Sequence, residues 1–348
     1  MISSRPKRIL TAALLGLALP ALTLPALADA AAPVVFKLAT LAPDGSTWMK
    51  ALTAMNEELI EKTRGAVKFK FYPGGVSGDE KDVVMRVRIG QLQAAAFTGV
   101  GLGEIAPDVR ILDAPWLFKS DAEVDFVYKT FAKQLSSAID KGGYVLLGWI
   151  ELGPVYVFTK NPLKRLEDLR QQKMWVWEGD PIAEAAYRAL GVSPIPLSIV
   201  DVLSSLQTGL INGVYGPPLG IVALQWFERA RYIYPVPMAR SAGAVLLSKR
   251  AFARLSGEQQ KTLLEVAGKH LRRLNERSRR ENAEALAALQ KRGLVMSPAA
   301  PSPQTLKKLD RLGRQARRSL AGKLYSASLL GSVEKALTKF RHGQAQKS

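Results

Sequence analysis

The sequence predicts an α/β protein of two lobes, and three observations predict it. Short apolar strands alternate with helical segments along most of the chain, the pattern of helices layered on a mostly parallel sheet. About 320 residues follow an N-terminal leader, more than one hydrophobic core usually organises. A proline-free helical stretch opens at Ser256 and runs to about Gly293. At ~1.5 Å per residue it spans roughly 50 Å, enough to cross both lobes.

The leader comes first. Arg5, Lys7 and Arg8 precede an apolar run from Ile9 to Leu24, and Ala26-Leu27-Ala28 supplies the small residues at which signal peptidase cuts. Pro20 and Pro25 interrupt the run, which is shorter than a bilayer span needs. Residues 1–28 are therefore expected to be removed from an exported protein that is soluble thereafter.

Val34 to Leu38 reads as a strand, and Asp44-Gly45-Ser46-Thr47 offers turn residues and N-caps for a helix from Trp48 to Lys62. Val67 to Tyr72 alternates as a second strand. Pro73-Gly74-Gly75 and Gly78 make the next loop, and Asp79 or Ser77 can cap a helix running through Gly90. Ala94 to Thr98 is a short strand ending on Gly99, Gly101 and Gly103. A second set of strands is expected at Tyr144 to Trp149, Tyr156 to Thr159, Met174 to Trp177, Val192 to Leu197, Gly213 to Tyr215 and Ala244 to Ser248. Ser256 with Gln259 forms a capping-box pattern at the start of the long helix. Pro298, Pro301 and Pro303 end it, and two amphipathic helices, near Gln304 to Leu320 and Ser332 to Phe340, finish the chain before a frayed tail.

Charge is distributed unevenly. The net charge is +19, and residues 249–348 hold 23 Lys and Arg against seven Asp and Glu, so the basic surplus lies in the leader and the last hundred residues. Export and the lack of an aromatic-interleaved basic motif argue against nucleic acid. The basic C-terminal helices suit a solvated face or a transient contact with an acidic partner or anionic headgroups, with Arg314, Arg317 and Arg318 as candidates.

The chemistry is sparse. With no cysteine there are no disulfides, thiolate metal sites or cysteine nucleophiles. Only His270 and His342 are present, both in basic helical surroundings, which leaves no histidine pair for a metal and no Ser-His-Asp set. The glycines at 99, 101 and 103 lack the full dinucleotide spacing and no P-loop lysine follows. No catalytic residue, metal or cofactor is therefore expected. The six tryptophans, at 48, 116, 149, 175, 177 and 226, lie largely at strand ends and helix starts, where α/β folds place ligand crevices, and favour an apolar pocket.

Several segments, taken in order, carry a family resemblance. They are Tyr72-Pro73-Gly74-Gly75 with Gly78-Asp79, then Asp113-Ala114-Pro115-Trp116-Leu117-Phe118. Next come Gly148-Trp149-Ile150-Glu151-Leu152-Gly153 and Lys160-Asn161-Pro162. Leu166-Glu167-Asp168-Leu169 with Lys173, Leu206-Gln207-Thr208-Gly209 and Asn212-Gly213 follow. Together they resemble the solute-binding proteins of tripartite ATP-independent periplasmic (TRAP) transporters, DctP type, over nearly all of the mature chain.

The resemblance implies a type II-like periplasmic-binding-protein fold with crossing strands, a bridging long helix and hinge closure around one small molecule for a membrane permease. On that reading, residues 33–153 with about 243–275 form one lobe. Residues 154–242 with about 276–340 form the other, and 341–348 the tail. Family members usually bind organic acids, and a near-universal arginine two residues after the position of Lys173 holds the carboxylate through its planar fork. Here that position is Trp175. A second family arginine falls on Val155, and an asparagine before the proline matching Pro217 is Gly216. A neutral or largely apolar ligand is thus expected, on a site drawn from Trp48, Thr98, Trp149, Glu151, Tyr156, Trp175, Tyr215 and Gly216. Lys173 or Arg188 swinging in to meet an acid is the first alternative, and a periplasmic lipid-handling or interaction protein on the same fold is the second. Strand alternation puts Lys173, Trp175 and Trp177 on one face and Met174 and Val176 on the other.

Overall fold

The computed structural model describes residues 32–297 and 301–346. The expected leader and Pro298 lie outside the described residues. The order is β1 (Val34–Thr40), α1 (Thr47–Lys62), β2 (Val67–Tyr72), α2 (Glu80–Arg88), β3 (Ala94–Thr98), α3 (Gly99–Ile105), α4 (Asp121–Lys141) and β4 (Tyr144–Thr159). Then come β5 (Trp175–Trp177), α5 (Pro181–Leu190), β6 (Ile195–Leu197), α6 (Val202–Thr208), β7 (Gly213–Gly216), α7 (Pro218–Ala223) and β8 (Tyr232–Ile233). The chain ends with β9 (Ala239–Ser248), α8 (Lys249–Phe252), α9 (Gly257–Lys291), β10 (Val295–Met296), α10 (Pro303–Leu320) and α11 (Ala327–Ala345).

Eight strands form one sheet in the order β10-β8-β4-β9-β3-β1-β2, with β7 also paired to β4. The β1-β2 and β1-β3 pairs are parallel, while β9 runs antiparallel to both β3 and β4. A two-stranded parallel sheet, β5-β6, carries the Trp175 segment. One cluster, with Phe97, Leu112, Val127 and Leu246, covers one face of the β1-β3-β9 region. A second, with Phe36, Leu52, Val245 and Leu271, covers the other. Two further clusters flank β5, Met174 and Val176 packing into one and Trp175 and Trp177 into the other, as strand alternation requires.

Local signals explain most boundaries. Ser46 caps α1, and Asp79 with Asp82 forms a capping box on α2. Ser256 and Gln259 do the same for the 35-residue α9, whose buried residues run from Leu263 in the β1-β2 core to Leu289 in the Trp175 core.

Three expectations need correcting. The two strands expected at 144–149 and 156–159 are one 16-residue strand, continuous through Gly153. The helix α4 had no counterpart in the expected order, although Ser120 caps it and Glu123 stands three residues on. The expected tail from residue 341 is helical through Ala345, and Arg341 is anchored to Glu123 at 2.7 Å and to the Leu117 carbonyl at 2.8 Å.

Candidate ligand cavity

A cavity of about 190 Å³ lies where β3, β4, β5, α1 and α7 meet. Four of the six tryptophans line it, Trp48, Trp175, Trp177 and Trp226, together with Tyr187 and Tyr215. Trp175 is 1% exposed, stacks on Tyr215 at 4.8 Å and meets Trp226 edge-on at 5.2 Å. Such offset and edge contacts are the favoured aromatic geometries. Its indole N–H donates to the Leu197 carbonyl at 3.0 Å, so its one donor is already used.

The polar groups on the wall are few and mostly spent on one another. Arg110 donates to Asp113 at 2.9 Å and to Asp180 at 2.7 Å, all three being buried. Asp113 also accepts from the Ala242 N–H at 2.8 Å, and Asp180 caps α5 by accepting from the Ile182 N–H at 3.1 Å. The Tyr215 hydroxyl accepts from the Trp177 N–H and donates to Asp180. Burial pushes the Asp113 carboxyl up to about 6 against the pull of Arg110. Burial alone would lower the Arg110 guanidinium, yet Asp180 and Asp113 hold it above its ordinary value. A buried cation between two carboxylates leaves no net positive charge for an anion.

Glu80 adds a third buried carboxyl to the wall. It accepts from the Thr98 N–H (2.7 Å), the Thr98 hydroxyl (2.9 Å) and the Gly101 N–H (2.7 Å), and burial pushes it up to about 7. The Gly99-Gly101-Gly103 run is the helix α3, not a phosphate loop: a Cβ at Gly99 would collide with the Asp113 carboxylate, and one at Gly101 with Phe97 and Glu80. These glycines make room for the buried charges.

Of the eight expected site residues, Trp48, Thr98, Trp175, Tyr215 and Gly216 line this cavity. Val155, the other position where the resemblance leads to expect an arginine, lines it too. Trp149, Glu151 and Tyr156 do not. Trp149 packs on Tyr128 at 5.5 Å, Glu151 is held by Arg279 at 2.7 and 2.8 Å, and Tyr156 packs into the Trp175 cluster outside the cavity wall. Two register shifts in β4 set this, one between Leu146 and Gly148, ahead of Trp149 and Glu151, and one between Glu151 and Gly153, ahead of Tyr156. Across the second shift the cavity-facing positions pass from Ile150 and the bulged Leu152 to Val155, so the alternation changes parity there. Lys173 and Arg188 are exposed and line no part of the cavity, whereas Arg240, paired with Asp121, does. Arg110, Asp113, Asp180 and Glu80 were not foreseen.

The profile of the bacterial extracellular solute-binding proteins, family 7 (DctP), matches residues 38–315. The chain belongs to that family. Its members are the periplasmic solute receptors of TRAP transporters, and this chain is a solute-binding receptor of that type. It is 28% identical over 277 residues to the C4-dicarboxylate-binding periplasmic protein DctP of Rhodobacter capsulatus, covering 78% of this chain and 81% of that one. The fold is that of the sugar acid binding protein DctPAm of Advenella mimigardefordensis in complex with galactonate, with a TM-score of 0.82, 20% identity and coverage of 88% and 98%. It is also that of DctP7, a Bordetella pertussis extracytoplasmic solute receptor binding pyroglutamic acid, with a TM-score of 0.79, 22% identity and coverage of 87% and 99%. This DctP receptor therefore has the two-lobed α/β fold of its family. No helix among the described residues is long and apolar enough to cross a membrane.

Proposed function

We propose that this DctP receptor takes a small ligand that is neutral or largely apolar, stacks it against the Trp175-Tyr215-Trp226 wall and delivers it to a TRAP permease in the membrane. The observation that carries the reading is Trp175 itself. At the position where the family resemblance leads to expect a carboxylate-binding arginine stands a buried indole whose N–H is already bonded to Leu197. Val155 and Gly216, the other two departures, line the same cavity. An organic carboxylate placed there would lose its hydration without a free cation in return. Arg110 is matched by Asp113 and Asp180, and burial of a further anion beside them would be costly.

A second reading rests on Arg240. It lines the cavity, its side chain is 20% exposed, and its carboxylate partner Asp121 is 49% exposed. The Rhodobacter, Advenella and Bordetella receptors bind organic acids. An acid that displaced Asp121 from Arg240 would be held by a guanidinium other than the family's arginine.

Native mass spectrometry of the purified receptor, followed by denaturation and identification of the released compound, decides between them. A neutral compound supports the first reading. A carboxylic acid whose binding is lost in Arg240→Gln overturns it in favour of the second.

A further inference from the structure

A second cavity, of about 400 Å³, opens on the surface where the segment after α7, the strand β8 and the end of α9 come together. Arg229, Arg231 and Arg292 line it with Glu228, over a floor of Phe227, Leu289 and Leu294. All three arginines are exposed and none makes an ion pair among the described residues. Arg292 lies over the Phe227 ring at 5.9 Å. Three unpaired guanidiniums around one depression repel each other, an arrangement that an anion relieves.

The adjoining strand supplies the second observation. β10 is the outer strand of the eight-stranded sheet and its two residues are exposed on both faces, Val295 at 47% and Met296 at 39%. The Val295 N–H donates to the Arg231 carbonyl at 2.7 Å, so the apolar tip and the basic rim are one structural unit. A two-residue strand offers too few ladder bonds to recruit a strand from another protein. Guanidiniums beside exposed aliphatic side chains do match the boundary between phosphate headgroups and acyl chains.

We propose that this corner, formed by Arg229, Arg231, Arg292, Val295 and Met296, is a docking site for an anionic phospholipid surface. The arginines take the headgroup phosphates and Val295 and Met296 enter the interface. Reversible adsorption would hold the receptor at the membrane where its permease lies. The site is separate from the ligand cavity and does not depend on what that cavity binds. Of the three basic residues singled out from sequence, Arg317 cannot take part, because it is 4% exposed and bonded to Glu334 and the Pro115 carbonyl.

The test is co-sedimentation with vesicles of phosphatidylcholine alone or mixed with phosphatidylglycerol, at low and high salt. The expected result is binding to the mixed vesicles only, weakened by salt and reduced roughly a hundredfold in R229Q/R231Q/R292Q. A control of equal charge change at exposed arginines elsewhere, R254Q/R272Q/R273Q, keeps most of the binding. Met296→Glu weakens it without touching an arginine. Equal loss in both triple variants would show adsorption by overall charge and overturn the proposal, as would undiminished binding by R229Q/R231Q/R292Q. Calorimetric binding of inorganic phosphate without vesicle binding would reassign the rim to free phosphate. Salt-sensitive retention on polyglutamate with vesicles ignored would reassign it to an acidic protein. Thermal melts of each variant separate lost docking from lost folding.

Discussion

Trp177 donates its indole N–H to both carboxylate oxygens of Asp79, at 3.0 and 3.1 Å, and so ties the end of β5 to the start of α2. The same carboxylate accepts from the Ser198 hydroxyl at 2.5 Å and from the Ile199 N–H at 3.3 Å. Two polypeptide segments about a hundred residues apart in sequence are therefore joined beside the ligand cavity by one acid. Hydrogen bonds to an ionised group contribute on the order of 2 kcal/mol each, less where solvent reaches them. Ser198→Ala removes one bond without touching the cavity wall or the cap of α2. Its expected effect is a wider and broader α2–α6 separation, with a larger shift in Asp79→Ala. Spin-label distances between α2 and α6 check this; unchanged distributions in both variants would show that the contact does not hold the two segments together.

Trp175 is worth more to the fold than a surface aromatic would be. Trp175→Leu removes the stack on Tyr215 and the bond to Leu197 but keeps an apolar side chain. We expect a loss of about 2–4 kcal/mol in urea unfolding. We also expect about tenfold weaker retention of the co-purified compound in native mass spectra. Full retention by Trp175→Leu would place the ligand away from this wall.

The Glu80 carboxyl ionises at about 7 in the folded protein, against an ordinary 4.5, because burial disfavours its charge. Between those values the folded protein keeps a proton that the unfolded chain has released, so stability falls as pH rises through that window and levels off above it. Asp113, raised to about 6 from 3.8, adds a contribution of the same sign. Melting temperatures measured from pH 5 to pH 8 are expected to decline, and Glu80→Gln to flatten the curve by up to roughly 3 kcal/mol. An unaltered slope in Glu80→Gln would assign the decline to other groups.

Arg110 holds Asp113 and Asp180 together in the wall. Arg110→Met leaves two buried carboxylates facing each other and is expected to cost about 3–5 kcal/mol of folding stability. Asp180→Asn keeps an N-cap oxygen for α5 and should cost less. Urea denaturation ranks them, and a milder loss in Arg110→Met than in Asp180→Asn would contradict a guanidinium clamped between two ionised carboxylates.

What could be read in advance follows from where each signal resides. The limits of β2 and β3, the capping box of α9 and the two faces of β5 depend on neighbouring residues, and they were legible. Trp175 and Gly216 were reached through their alignment with positions of the family's polar contacts, and both line the cavity. The facing of Trp149, Glu151 and Tyr156 was not legible, because two register shifts, at Leu146/Gly148 and at Glu151/Gly153, each reverse which side chains point inward. The Arg110-Asp180 pair lies 70 residues apart, and only the packing of α5 against the cavity brings it together. The helix α4, by contrast, carried a readable signature in Ser120 and Glu123.

Asn282 sits where Gly153 bends β4. A Cβ on Gly153, whose φ is 115°, would strike the Asn282 amide. That amide donates to the Leu152 carbonyl at 2.8 Å and accepts from the Leu219 N–H at 3.1 Å, so one side chain of α9 grips both the bent strand and α7. The bend in the strand is consequently keyed to a rod. A single side chain thus fixes β4 and α7 to the same turn of α9, and the long helix acts as a splint for both.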